Sequence, residues 1–501
     1  MPWNIITNYL SQGWAAFIAF AFIPIYVAYL GLDAYGLIGL FTTLQIWFGL
    51  LDLGMSPALG REAARYTAGE RSISSYMTLM RTIEVLMVFI AAVIFMVFFY
   101  AAEWGSENWF NSTEIKTDSV SVALKVMGFV IAIRFLENIY RSTLLGLQKQ
   151  VIFNLVFVAS ATVRAVGAWC VLRFIDASII NFFLWQGIVS VVTLLVLLAV
   201  TYYHLKPAHA QFSLSSLKGI GGFAGGMILI SITSLMLTQF DKLILSGYLP
   251  LDEYGGYMLA VSIAALMFLL ITPITQAFYP RFCELVAQKK ETDLAKNFHT
   301  ACQLVMVLTS SLAAVLVLNA DIFLSVWLSE VDIPIKTSQV LIILLIGNFV
   351  NGLLWVPYHT QLAYAWTSLP ILGNVFGILV YFSMIYYALP NYGVLGVAYS
   401  WLVLALLLFF GTSWLTFRKI LKNEKYDFYI NGVLKLAIVA FVIAFICKWF
   451  WGILIGQYEW IYLAASLATT LVPTILAADR LKDVRSTVLR VINSYRMKML
   501  G

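Results

Sequence analysis

Arg134, Glu137 and Arg141 stand in one apolar stretch, VIAIRFLENIYRSTLLG, at i, i+3 and i+7. That spacing stacks all three on one face of a helix. A charged side chain inside a membrane span costs at least about 2.5 to 3.5 kcal/mol, so it turns toward the protein interior or water. The next apolar run adds Arg164. Two readings stay open: a cationic lining for an anionic head group with Glu137 orienting the arginines, or an Arg-Glu-Arg pairing that locks neighbouring helices. Further along, QFDKLILSGYLP places Asp241 and Lys242 side by side. Adjacent helical residues point about 100° apart, so this pair is not expected to bond simply to itself. Asp241 reads as a coupling carboxylate and Lys242 as a phosphate contact. Asp52, in LLDLGMSPALGRE, could carry a coupling proton or bond the backbone freed by Gly54 and Pro57. Gln45, Asn348 and Asn351 are amides able to hydrogen-bond sugars in a wet cavity or to join helices.

Chemistry of the enzymatic kind is missing from the pattern. There is no H-E-x-x-H and no G-x-x-x-x-G-K-[ST], and His204, His209, His299 and His359 show no ligand spacing. The four cysteines form no paired spacing. No catalytic residue, metal or cofactor is expected, and ATP hydrolysis within this chain is excluded.

The elements that must hold these residues follow from composition. Of 501 residues, 61% are hydrophobic and 11% charged, with a mean hydropathy of +0.89. A soluble domain carries about 25% charge. Apolar runs long enough to span a bilayer recur along the whole chain, which excludes a disordered chain, an outer-membrane barrel and a nucleic-acid domain. The chain reads as an all-α polytopic membrane protein of about 14 transmembrane helices. Spans are expected near 8–30, 35–59, 77–100, 119–145, 151–172 and 178–203, then 220–248, 254–279, 299–319, 337–358, 367–389 and 394–416, with two more near 430–452 and 460–477. If the N-terminus is cytoplasmic, most of the 31 Lys and Arg residues fall in inner loops and the tail, and only Lys116, Lys125, Arg173 and Lys336 fall at the outer side. The positive-inside rule therefore favours an even span count with both termini cytoplasmic. No cleavable signal peptide is visible, so the first span serves as the signal. The net charge of +6 reports orientation rather than a nucleic-acid partner.

An internal repeat organises the spans. YLGLDAYG at Tyr29 to Gly36 returns as YLPLDEYG at Tyr248 to Gly255, six of eight positions being identical. The expected domains are 1–205 and 206–425, each a six-helix lobe, followed by 426–501 with two additional helices and a basic tail. Halves of even span number share one orientation, so the repeat is parallel, about an axis along the membrane normal.

The stretches PIYVAYLGLDAYGLIGLFTTLQIWFGLLDLGMSPALGREAARYTAGE, FDKLILSGYLPLDEYGGYMLA and LPNYGVLGVAYSW resemble polysaccharide (O-antigen type) flippases of the MATE-like exporter superfamily. The resemblance implies two six-helix lobes in a V, opening alternately to each side. It implies as cargo an oligosaccharide repeat unit on a polyprenyl diphosphate, moved from inner to outer leaflet of a bacterial cytoplasmic membrane by a proton or sodium gradient. Positive charge for the cavity would come from Arg134, Arg164, Lys242 and the inner-mouth pair Arg61 and Arg281. Expected partners are that lipid-linked sugar, membrane lipids, a polysaccharide polymerase and glycosyltransferases. The alternatives are a multidrug or cation exporter of the same superfamily, and a membrane-bound glycosyltransferase or polymerase.

Overall fold

The computed structural model describes residues 2–110, 112, 115–205, 209–217, 221–328, 335–455 and 458–481. The basic tail beyond residue 481 lies outside them. The chain separates into two compact units, Met1–Met258 and Leu259–Gly501. Among the described residues eleven helices are long and apolar enough to cross a membrane. The spans expected from the sequence overlap helices, although 35–59 is broken at Leu53 and Gly54 and 337–358 at Leu353 and Leu354.

The first unit begins with α1 (Pro2–Ala21), α2 (Ile23–Gly49) and α3 (Met55–Thr67), followed by α4 (Ile73–Asn108), α5 (Thr117–Gly146), α6 (Gln150–Phe174) and α7 (Ile179–His204). It continues through α8 (Gly221–Tyr248) into α9 (Leu251–Ala264). The α5 helix packs along α4, α7 and α3, so its charged face has helices on several sides.

The division into units falls later than residue 205 because α8 is packed within the first unit. The Trp109 indole donates to Ser246 Oγ at 3.1 Å, and the rings of Trp47 and Phe240 lie 6.1 Å apart. The two copies of the repeated octapeptide also meet. A Cβ on Gly36 would stand 2.7 Å from the Leu251 carbonyl oxygen, and a Cβ on Gly255 would run into the Leu32 carbonyl. The contact is reciprocal between matching positions, as in an isologous interface. Only glycine lets these backbones approach so closely.

In the second unit, α10 (Leu266–Ala287), α11 (Glu291–Leu318), α12 (Ala320–Leu328), α13 (Ile335–Gly352) and α14 (Trp355–Ala363) lead to α15 (Ser368–Lys419). At 1.5 Å per residue, the 52 residues of α15 would span about 78 Å, against a hydrocarbon core of about 30 Å. Gly393 breaks the run with φ 59° and ψ −143°, a conformation that suits a residue without Cβ, and so divides it where two spans were expected. A π-helical segment, Asp427–Leu434, then opens α16 (Lys435–Ile455), which pairs with α17 (Glu459–Ala477). Both pack on α11 around Ala314, Val315, Ala440, Ala444, Tyr462 and Leu463.

The turn between α3 and α4 is closed by charge. Buried Glu62 accepts hydrogen bonds from Arg71 and Arg65, the latter at 3.3 Å, and Arg65 also pairs with Glu70 at 3.1 Å. Burial pushes the Glu62 carboxyl up, but the hydrogen bonds and charges of Arg71 and Arg65 outweigh it and hold the group below its ordinary 4.5. A carboxyl depressed on folding stabilises above its unfolded value, and that stability is lost as pH falls through the folded one. Limited proteolysis between Ala68 and Ser72 should therefore accelerate on acidification below the ordinary carboxylate range, and Glu62→Gln should be cleaved quickly at neutral pH with no such dependence. A Glu62→Gln variant as resistant as wild type at neutral pH would contradict this. For the backbone contact, Gly255→Ala should lower the thermal midpoint of the purified protein by several degrees, since overpacking costs about 1 to 3 kcal/mol. Gly411→Ala, where a Cβ meets nothing within 4 Å, should leave the midpoint unchanged or raise it.

Candidate functional site

The arginine face of α5 opens onto a cavity of about 190 Å³ inside the first unit. Its lining includes Gln45 and Phe48 from α2, Arg134, Glu137 and Arg141 from α5, and Arg164 from α6. The 3.6-residue repeat brings the α5 trio to one side, and α6 and α7 close on it.

Arg134 is held by three side-chain acceptors. Its Nη1 donates to Gln45 Oε1 at 2.9 Å, Nη2 to Gln186 Oε1 at 2.7 Å and Nε to Ser190 Oγ at 3.2 Å, while its guanidinium lies 5.0 Å from the Phe41 ring centre. Arg164 Nη2 pairs with Glu137 Oε1 at 2.9 Å and also reaches Ser190 Oγ at 3.4 Å. Arg164 Nε is buried with no hydrogen-bond partner among the described residues. Two guanidinium groups thus converge on one serine hydroxyl. Three arginines against one glutamate leave two positive charges on the lining. Arg141 stands over the Phe153 ring at 5.5 Å and is exposed.

Gln186 and Ser190 are site residues that the sequence reading missed. With Thr193 they form a polar stripe at i, i+4 and i+7 in an otherwise apolar run of α7, QGIVSVVTLLVLL, and that stripe was the available signal.

The other expected site residues lie elsewhere. Asp52 accepts from the Ser56 amide at 3.1 Å and from its hydroxyl at 2.6 Å, capping the break between α2 and α3. The expectation that Asp241 and Lys242 do not pair is corrected: Lys242 Nζ lies 3.3 Å from Asp241 Oδ1. The flexible lysine stem swings back one turn, where Nζ also donates to the Thr238 carbonyl, and Tyr257 donates its hydroxyl to Asp241 Oδ2. Arg61 is exposed on α3. In the second unit, Arg281 forms an exposed pair with Glu284 at 2.6 Å, Asn348 accepts from the Trp401 indole at 2.9 Å, and Asn351 is half-buried.

His299, Glu424 and Asp427 draw together there, with His299 Nε2 2.7 Å from Glu424 and 3.4 Å from Asp427. Arg480 reaches the same Asp427 oxygen at 2.8 Å, so a cation already sits against the group.

A family described as polysaccharide biosynthesis protein matches residues 3–286, more than half of the chain. The chain belongs to that family. A Shigella flexneri protein named "Putative O-antigen transporter" is 21% identical over 378 residues, covering 75% of this chain and 88% of that protein. Among solved structures, the lipid II flippase MurJ in an inward closed conformation has a TM-score of 0.68 at 13% identity, covering 95% of this chain and 99% of that one. An inward-facing MATE multidrug transporter of the MOP superfamily has a TM-score of 0.64 at 14% identity, over 82% and 96%. This family member therefore shares the fold of these two solved transporters, within the all-helical membrane class read from its sequence.

Within the site, each hydrogen bond to a charged group contributes about 1.5 to 3 kcal/mol. Gln186→Leu should accordingly lower the thermal midpoint of the purified protein by several degrees, while Gln186→Glu, which keeps an acceptor for Arg134, should hold it. A Leu variant as stable as wild type would show that Gln186 does not secure the arginine.

Proposed function

We propose that this multi-span membrane protein is a flippase for a polyprenyl-diphosphate-linked oligosaccharide, the repeat unit of an O-antigen or similar surface polysaccharide. It carries the unit from the inner to the outer leaflet of the cytoplasmic membrane, with both termini in the cytoplasm. The observation that carries the reading is the convergence of Arg134 and Arg164 on Ser190, in a membrane-protein cavity with two surplus positive charges. Such a cavity favours an anionic diphosphate or acidic sugar and disfavours the organic cation of a drug exporter. Membership of the polysaccharide biosynthesis family and the O-antigen transporter relative support the sugar cargo, and the likeness to a lipid II flippase supports the fold. These relatives are transporters by name, which sets aside the glycosyltransferase alternative.

The physical need is plain. Each unpaired hydroxyl drawn through hydrocarbon costs about 4 to 8 kcal/mol, so even one sugar meets a barrier of tens of kcal/mol. A polar passage removes that cost while the polyprenyl chain stays in lipid. In this reading 1–205 and 206–425 alternate access as two six-helix lobes, 426–501 adds the last two of about 14 spans, and the polymerase and glycosyltransferases take up and supply the cargo. A proton or sodium gradient drives the cycle, with Asp52 and Asp241 as coupling candidates. One charge crossing 100 mV provides about 2.3 kcal/mol.

Deleting the gene should leave complete lipid-linked repeat units on the inner leaflet and remove surface polymer. Arg134→Ala and Arg164→Ala, inserted normally, should restore less than a tenth of the polymer. Full restoration by both would refute the arginine assignment, and intact polymer in the deletion strain would refute the flippase itself. Asp52→Asn and Asp241→Asn should each reduce transport driven by an imposed gradient, and full transport by both would remove them as coupling groups.

A further inference from the structure

Two stretches of the second unit, more than a hundred residues apart in the chain, bring three metal-binding atoms together. His299 stands about two turns into α11, while Glu424 and Asp427 come from the connection that leads into the π-helical segment. His299 Nε2 lies 2.7 Å from Glu424 Oε2 and 3.4 Å from Asp427 Oδ2, and the three ligand atoms are all within 4.8 Å of one another. In a tetrahedral zinc site, bonds of about 2.0 to 2.1 Å set the ligand atoms about 3.3 Å apart. The two separations from the imidazole fall on either side of that value, so small side-chain shifts suffice to seat an ion.

The surroundings favour a cation. The His299 side chain is 2% exposed, whereas Glu424 and Asp427 are 32% and 26% exposed, which leaves an ion a way in from water. Asn431 donates from Nδ2 to Asp427 Oδ1 at 2.7 Å and so leaves Oδ2 turned toward His299, as outer hydrogen bonds orient the ligands of a metal. Arg480 Nη2 already holds Asp427 Oδ2 at 2.8 Å, its own backbone amide donating to Gln303 Oε1 at 2.8 Å. With the imidazole neutral, as a metal ligand must be, two carboxylates against one guanidinium leave a net negative charge.

We propose that His299, Glu424 and Asp427 form a binding site for a divalent transition metal of the zinc class, with Arg480 as a built-in competitor for Asp427. One imidazole nitrogen and two carboxylate oxygens suit zinc, and water completes the tetrahedron. The imidazole binds through Nε2 as its Nδ1–H tautomer and gives up its contact with Glu424, while Arg480 gives up Asp427. Magnesium, which demands oxygen ligands in near-ideal octahedral geometry, is disfavoured. The bound ion ties α11 to the connection between α15 and α16. The site shares no residue with the arginine cavity, so it stands independently of the flippase reading.

The test uses the full-length protein, purified without a histidine tag, stripped with chelator and dialysed against zinc. Retained metal is counted by mass spectrometry, and affinity is read by competition with a chromophoric chelator. Wild type should hold one zinc per chain more than His299→Gln does. Glu424→Gln and Asp427→Asn, at partly exposed positions, should each weaken binding at least about tenfold. Arg480→Gln should tighten binding several-fold, a direction that a purely structural ion-pair cluster does not give. Equal zinc on wild type, His299→Gln and Glu424→Gln would mean an adventitious ion only and would overturn the site. Unchanged or weaker binding by Arg480→Gln would overturn the competition, and magnesium displacing zinc at equal concentration would overturn the transition-metal assignment.

Discussion

Two guanidinium groups brought to one serine hydroxyl among apolar helices set the terms for the first unit. Like charges at that separation repel, and the low dielectric around them strengthens the repulsion. The arrangement stands because each arginine is answered on its other atoms: Arg134 by Gln45 and Gln186, Arg164 by Glu137. What these partners leave uncompensated is a net positive cavity. In a protein interior surrounded by lipid, such a surplus favours an anionic group over a cationic one.

Holding such a cavity open demands that the surrounding backbones be placed to within fractions of an ångström. Glycine does this at the meeting of the two octapeptide copies, where Gly36 and Gly255 each face the other copy's backbone. The same contact carries α8 into the first unit, and Trp109 and Trp47 then close on α8. Gln45 and Phe48 lie on the very helix that contains Gly36, so the repeat and the site share a scaffold.

The acidic residues show a different economy. Asp52, Glu62 and Asp241 are each occupied: a helix cap, a loop clasp and a pair with Lys242 and Tyr257. Local structure uses these carboxylates, whereas the arginine cavity keeps donor capacity in reserve at Arg164 Nε. That contrast is why the proposed recognition is assigned to the cavity rather than to any acid.

The sequence by itself determined the all-helical membrane class and the common face of Arg134, Glu137 and Arg141. These are local properties: a bilayer demands long apolar runs, and the pitch of a helix fixes which residues share a side. It also exposed the octapeptide repeat, because identity survives in one dimension. Only the tertiary structure decided that Gln186 and Ser190 answer Arg134 from α7 and that the octapeptide copies touch. The same holds for the cluster of His299, Glu424 and Asp427, whose histidine is more than a hundred residues from the two acids in the chain. Such meetings depend on which helices pack together, and helix packing is settled by surface complementarity over many side chains rather than by any single residue's type or spacing.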